Sequence, residues 1–267
     1  MLKKILLVLS CTCMINVCNA ENFAAEATNK DNNSVTYNCL EDRNGRIIFS
    51  TAWDKAYATE GAALSAYEAA MTATDKQLAN INYIEAIKNI NVAVASVPWN
   101  AEFWVLASQI YRHRGGLSYA RNYFLEACKI YEKQLQEYPE SITLNLQYAI
   151  ACYAGDARYY PDYNDYKVRS YLHANQALKL LEQVKLRSNE EQFLLPQLLA
   201  YVILQDYAKV GKLAQRIKYV CDKHSFDYTL AEQYEQLVTN GQWLWRVSSK
   251  ENAEKEFLLY SITEWGI

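Results

Sequence analysis

The run Tyr83–Tyr131, YIEAIKNINVAVASVPWNAEFWVLASQIYRHRGGLSYARNYFLEACKIY, decides the fold. Its first part carries Ala86, Ile90 and Ala93 at helical spacing and stops at Pro98, which has no N–H to donate and cannot continue a helix. A second stretch sets Trp104, Ala107, Ser108 and Tyr111 on one helical face. Beyond Arg112-His113-Arg114-Gly115-Gly116, a third does the same with Ala120, Phe124 and Ala127. Ala86 and Ala120 stand 34 positions apart. Small residues at such intervals mark where helices approach closely, and aromatics mark where they wedge. A helix pair of this kind cannot bury its apolar face alone, so neighbouring pairs must stack against it.

The pattern extends in both directions. Upstream, Ala62 to Ala73 is alanine-rich with apolar spacing of three and four, and Thr74-Asp75-Lys76-Gln77 reads as a capping box ahead of the amphipathic stretch Asn82 to Val97. Downstream, Glu102 to Tyr111 and Ser118 to Tyr138 form one pair, closed by Pro139. Thr143 to Tyr153 and Lys167 to Val184 form the next, with Ala174 and Ala177 at close-packing positions. Between these two helices lies an insertion, Ala154 to Tyr166, carrying Arg158, Tyr159, Tyr160, Pro161, Tyr163 and Tyr166. A fourth pair sets Leu194 and Tyr201 seven apart, with Pro196 in the first turn, and continues through Val210, Ala214 and Ile217. Phe226 to Val238 ends at Asn240-Gly241, and Ser248-Ser249-Lys250-Glu251 opens a last helix with Ala253, Phe257 and Tyr260. Four to five helix pairs are expected.

Trp104, Ala107, Ser108, Tyr111, Ala120, Phe124 and Ala127 fall in register with the W-x2-L-G-x2-Y…A-x3-F signature, and the chain resembles the tetratricopeptide-repeat family over residues 62–267. Ala107 stands for the usual Leu and Ser108 for the usual Gly. The resemblance implies an all-α solenoid over residues 53–267, of the kind that serves as a non-enzymatic scaffold for a peptide or partner protein. In that family the first helix of each pair builds the concave face. Counting from the matched residues places Val105, Gln109 and Arg112 there, then Leu146, Ile150 and Tyr153, then Leu195, Leu199 and Val202. This lining is mostly apolar and lacks the Lys and Asn cluster that grips a C-terminal carboxylate, so an apolar or aromatic segment is the implied ligand. Arg112 and the insertion residues Arg158, Tyr159 and Tyr160 would supply polar selectivity at the rim. The competing expectation is that the same face packs on the chain's own terminal helices, which would suit a structural or accessory subunit of a cell-envelope assembly.

The N-terminus reads as an address. Lys3 and Lys4 precede an apolar run from Ile5 to Val17, and Cys18-Asn19-Ala20 ends at a small residue, so residues 1–20 are expected to be a signal peptide and the protein periplasmic or extracellular. The run falls short of the roughly 20 residues that span a bilayer, and no integral membrane span is expected. Val8-Leu9-Ser10-Cys11 resembles a lipidation box, the alternative being an anchor at Cys11. Residues 21–34 read as a polar linker. Residues 35–51 read as a β-hairpin, with Val35–Leu40 and Ile47–Ser50 flanking the Asn44-Gly45 turn. The spacing Tyr37, Cys39, Asp42, Gly45, Phe49 resembles a short hairpin module at the start of some exported bacterial proteins. Eight Gly and four Pro against 22 Tyr favour long helices with aromatic packing. A net charge of -3 with dispersed Lys and Arg argues against nucleic acid.

Chemical motifs are sparse. His113, His173 and His224 occur in no metalloprotease arrangement, and the chain has no G-x-S-x-G, P-loop or dinucleotide fingerprint. Cys221 and His224 form half a metal site with no second pair, so neither metal nor cofactor is expected. A Cys152–His173 nucleophile is weighed against an inert core thiol, and the thiol is preferred. Cys39, Cys128, Cys152 and Cys221 would remain after export, and they permit two disulfides in three connectivities. Glu190-Glu191, Glu254 and Glu256 read as solvated helix charges.

Overall fold

A computed structural model describes residues 40–41, 47–48, 52–155, 163–185, 193–224 and 250–265. Among these, nine helices account for nearly everything: α1 (Ala52–Thr72), α2 (Lys76–Ser96), α3 (Ala101–Arg114), α4 (Leu117–Glu137), α5 (Ile142–Ala154), α6 (Tyr163–Lys185), α7 (Leu194–Ile203), α8 (Tyr207–His224) and α9 (Lys250–Trp265). Two dipeptides, β1 (Leu40–Glu41) and β2 (Ile47–Ile48), pair antiparallel with Leu40 opposite Ile48. The rest of the hairpin expected over 35–51 lies outside the described residues. So do the expected signal peptide and linker, Arg158, Tyr159 and Tyr160 of the insertion, and the expected helix Phe226–Val238. The chain divides into two compact units between Ile130 and Tyr131, within α4.

Helix ends follow local chemistry. Asp75 caps α2 by accepting from the Leu78 N–H at 2.7 Å, so the cap is Asp75 and the expected box opening at Thr74 is displaced by one residue. Asn100 caps α3 and Ser141 caps α5 in the same manner. Val97 ends α2 one residue before Pro98. Gly115 ends α3 at φ 96°, where the Gly115 N–H reaches Arg112 O and the Gly116 N–H reaches Tyr111 O. This crossed pair of bonds satisfies two terminal carbonyls and needs a residue without a Cβ. The α6 helix begins at Tyr163, inside the stretch expected to be an insertion, which is correspondingly shorter.

In the first unit α1 packs on α2 and α2 on α3. Ala56, Ala63, Ala86 and Ala93 are fully buried, and their short side chains let large neighbours such as Ile90, Phe103, Leu106 and Ile110 close over them. Helix α1 also reaches α3 directly: Tyr57 meets Phe103 edge-on at 5.7 Å and Tyr67 meets His113 at 5.7 Å. Helix α3 lies so close to α4 that the Ser108 hydroxyl donates to the Ala120 carbonyl at 2.7 Å. Trp104 is only half-buried. Its indole N–H donates to Pro98 O at 2.8 Å and its ring tilts against Tyr123, so this aromatic wedges at an edge and does not fill the core as the repeat pattern implies.

In the second unit α5 packs on α6, α7 and α9, and α7 packs on α6 and α8. Every residue of α5 from Asn145 to Ala154 is buried, which explains a composition apolar on all sides. Contacts from the first helix of one pair to both helices of its neighbour recur in both units.

Candidate functional site

The groove candidates divide between the two units. In the first, Val105 and Gln109 are buried, while Arg112 is half-buried with Nη2 2.9 Å from Nε2 of His113. In the second, Leu146, Ile150, Leu199 and Val202 show no exposed surface, Tyr153 is 8% exposed, and Leu195 is half-buried. Helix α9 lies against α5 and brings Phe257, Leu258 and Ile262 into the interior. Lys255 Nζ sits 5.7 Å from the centre of the Tyr153 ring, within cation–π range. Gln205 Nε2 donates to the Tyr153 hydroxyl at 3.3 Å, and the Tyr207 hydroxyl donates to Glu254 Oε2 at 3.1 Å. Tyr153, one of the groove candidates, is therefore in contact with the C-terminal helix. Glu254 and Glu256 are buried, contrary to the solvated charges expected of them, because α9 buries a continuous stretch around them.

A polar cluster joins the end of α4 to α5 and α6. The Tyr148 hydroxyl donates to Glu132 Oε1 at 2.7 Å, and Arg169 donates to the same carboxylate and to the Tyr148 oxygen. The bond to Tyr148 and the Glu132 charge hold the guanidinium of Arg169 more firmly protonated than usual, against a smaller opposing effect of burial. One turn further along α6, His173 Nδ1 lies 2.8 Å from Asn145 Oδ1. The Asn145 amide donates to Pro139 O and Ser141 O, which identifies Oδ1 as the acceptor and places the proton of His173 on Nδ1. Burial, reinforced by the Arg169 cation, lowers the pKa of His173 and keeps the ring neutral. The partner of His173 is thus Asn145, and the thiol of Cys152 is buried. Cys128 and Cys152 are both thiols in this structure, not halves of a disulfide.

In the first unit a row of rings runs Tyr119, Tyr111, Tyr123, Trp104, with successive centroids 5.1–5.4 Å apart. Asn91 bridges two of them, accepting from the Tyr123 hydroxyl at 2.7 Å and donating to the Tyr111 oxygen at 3.3 Å. Burial, together with Tyr111, pushes the Tyr123 phenol up to about 12, so it stays a neutral donor.

Sequence reading missed both networks because the residues that hydrogen-bond across them lie 16 to 37 positions apart. The available signal was periodic. Asn145 and Tyr148 interrupt an apolar helix three apart, and Arg169 and His173 stand four apart on the next, so each pair occupies one helical face. Among the described residues, no group of three or more His, Cys, Asp and Glu side chains is placed to hold a metal ion, and no helix is long and apolar enough to cross a membrane. No known family model, curated protein or solved structure matches the chain significantly.

Proposed function

We propose that this chain is an exported, non-enzymatic helical-repeat protein of tetratricopeptide type, acting as an accessory subunit of a cell-envelope assembly. In this reading the inner face of its later repeats is filled by its own C-terminal helix. The observation that carries this is the distribution of apolar surface. Leu146, Ile150, Leu199 and Val202 on first helices are fully buried, and Tyr153 is covered by Lys255 of α9. By contrast, among the described residues the exposed large apolar side chains, apart from Tyr57 and Trp99, all sit on the second helix of a pair: Leu78, Ile81 and Ile84 on α2, Leu117 and Tyr119 on α4, Val168 and Leu172 on α6, Tyr207 and Tyr219 on α8. Apolar surface left in water on successive helices suits a protein that meets its partner through those helices.

The competing proposal, a scaffold that holds an apolar segment in an open groove, rests on the family analogy. Charge substitution on the second helices separates the two. Ile81→Glu with Ile84→Glu, and Val168→Glu with Leu172→Glu, should abolish cross-linking to envelope proteins in the native host while leaving the melting temperature unchanged. Undiminished cross-linking by both folded double variants would overturn the accessory-subunit reading.

A further inference from the structure

Met71 is the only methionine outside the predicted signal peptide, since the other two are Met1 and Met14. It lies in the last turn of α1, and its half-buried side chain meets donors from two other helices. The Tyr83 hydroxyl of α2 donates to Met71 Sδ at 3.0 Å, and His113 Nδ1 of α3 lies 3.0 Å from the same sulfur. The direction of the second contact follows from its far side. Arg112 can only donate, so the Nε2 it approaches at 2.9 Å is the acceptor and the ring proton sits on Nδ1, pointing at the sulfur. Tyr67 packs edge-on against His113 and tilted against Tyr83, which fixes both donors. A thioether is a weak acceptor, so two aligned donors are far more than its own hydrogen bonding calls for. A sulfoxide oxygen is a strong, polar acceptor and would use both.

We propose that Met71 is an oxidation site, at which a peroxide converts the sulfide to a sulfoxide held by Tyr83 and His113. The sulfur lone pair attacks one peroxide oxygen and an S–O bond forms as the O–O bond breaks. The departing oxygen takes up the remaining proton and leaves as water when the oxidant is hydrogen peroxide. Sulfur loses two electrons and the peroxide gains them. In an ordinary core this change inserts a polar group among apolar neighbours and disrupts packing. At this position the new oxygen meets two donors, the His113 N–H and the Tyr83 O–H, so the junction of α1, α2 and α3 survives the change and gains a polar tie.

The test uses the full chain treated with hydrogen peroxide, followed by tryptic mapping of the peptide Ala56–Lys76, which holds Met71 and no other methionine. The expected result is addition of one oxygen to this peptide while the protein remains folded, with a melting temperature close to that of the reduced protein. In Tyr83→Phe the same oxidation should lower the melting temperature by about 4 °C or more relative to reduced Tyr83→Phe. A second pair of variants needs no oxidant: Met71→Gln supplies a carbonyl oxygen where the sulfoxide oxygen would stand, and Met71→Leu supplies none. Met71→Gln should melt about 4 °C or more above Met71→Leu. The proposal is overturned if Met71 stays unmodified in the folded chain at doses that convert the free peptide, or if oxidation costs wild type and Tyr83→Phe equally. It is also overturned if Met71→Leu melts at or above Met71→Gln.

Discussion

His173 on α6 gives its Nδ1 proton to Oδ1 of Asn145 on α5 at 2.8 Å, which ties the two helices together. Burial, with Arg169 close by, lowers the ring's pKa below the ordinary 6.5. In the acid range the folded chain therefore binds fewer protons at this site than the unfolded chain does. Stability is full above pH 6.5 and drains as pH falls through the unfolded value toward the lowered folded one. Urea midpoints measured from pH 8 to pH 5 should fall with pH, and His173→Gln should flatten that part of the profile. An unchanged slope in His173→Gln would remove His173 from the account.

Gly115 and Gly116 make a controlled comparison. Gly115 holds φ at 96°, and a Cβ added there would meet no atom within 4 Å, so Gly115→Ala probes backbone strain alone. It should cost about 1–2 kcal/mol. Gly116 has no such torsion, and a Cβ there meets Tyr111 at 3.4–3.5 Å, an ordinary contact, so Gly116→Ala should be close to neutral. Chemical denaturation of the two variants reads the difference.

The approach of α3 to α4 at Ser108 and Ala120 leaves no room for a longer side chain. Ala120 is 1% exposed, and its carbonyl accepts the Ser108 hydroxyl at 2.7 Å. Ala120→Leu should destabilise by about 1–3 kcal/mol through overpacking. Trp104, half-buried against Tyr123, should cost less than the 3–5 kcal/mol typical of a core tryptophan when changed to Ala, at about 2 kcal/mol. Thermal melts of both variants check the order, with Ala120→Leu at least as damaging as Trp104→Ala.

Helices α2, α3 and α4 were legible because Ala86, Ala107, Ala120 and Ala127 repeat at packing distance, and Pro98 and Gly115-Gly116 punctuate the helices between them. The physical information is local in each case: a missing Cβ, a missing N–H, a face with period 3.6. The start of α1 was legible too, since helix was expected from residue 53 and the helix begins at Ala52, although its exposed Tyr57 gives that stretch a weak amphipathic pattern. The start of α6 was hidden, since Tyr163 and Tyr166 resemble Tyr159 and Tyr160 just before them in the sequence. Side-chain pairs such as Glu132–Arg169 and Met71–His113 depend on how helices cross, and one-dimensional spacing does not carry that. The burial of Glu254 and Glu256 was missed because charge alone predicts solvation and the packing around α9 overrides it.

Leu146 and Leu199 separate a filled interior from a ligand groove. Both are fully buried, on α5 and α7, and these helices pack directly on one another. In an open groove, Leu→Ser at either position would remove a ligand contact and leave the fold intact, because the side chain would already face water in the free protein. In a filled interior the same change removes apolar contacts and leaves both a cavity and a hydroxyl in apolar surroundings. Each substitution should therefore cost at least the 2–5 kcal/mol of a buried leucine truncated to alanine. Val168→Ser and Leu172→Ser, 66% and 63% exposed on α6, should stay within about 0.5 kcal/mol of wild type. Calorimetric melts of the four single variants decide the matter. Leu146→Ser and Leu199→Ser melting with wild type would mean that the face is open after all and would return the groove reading to first place.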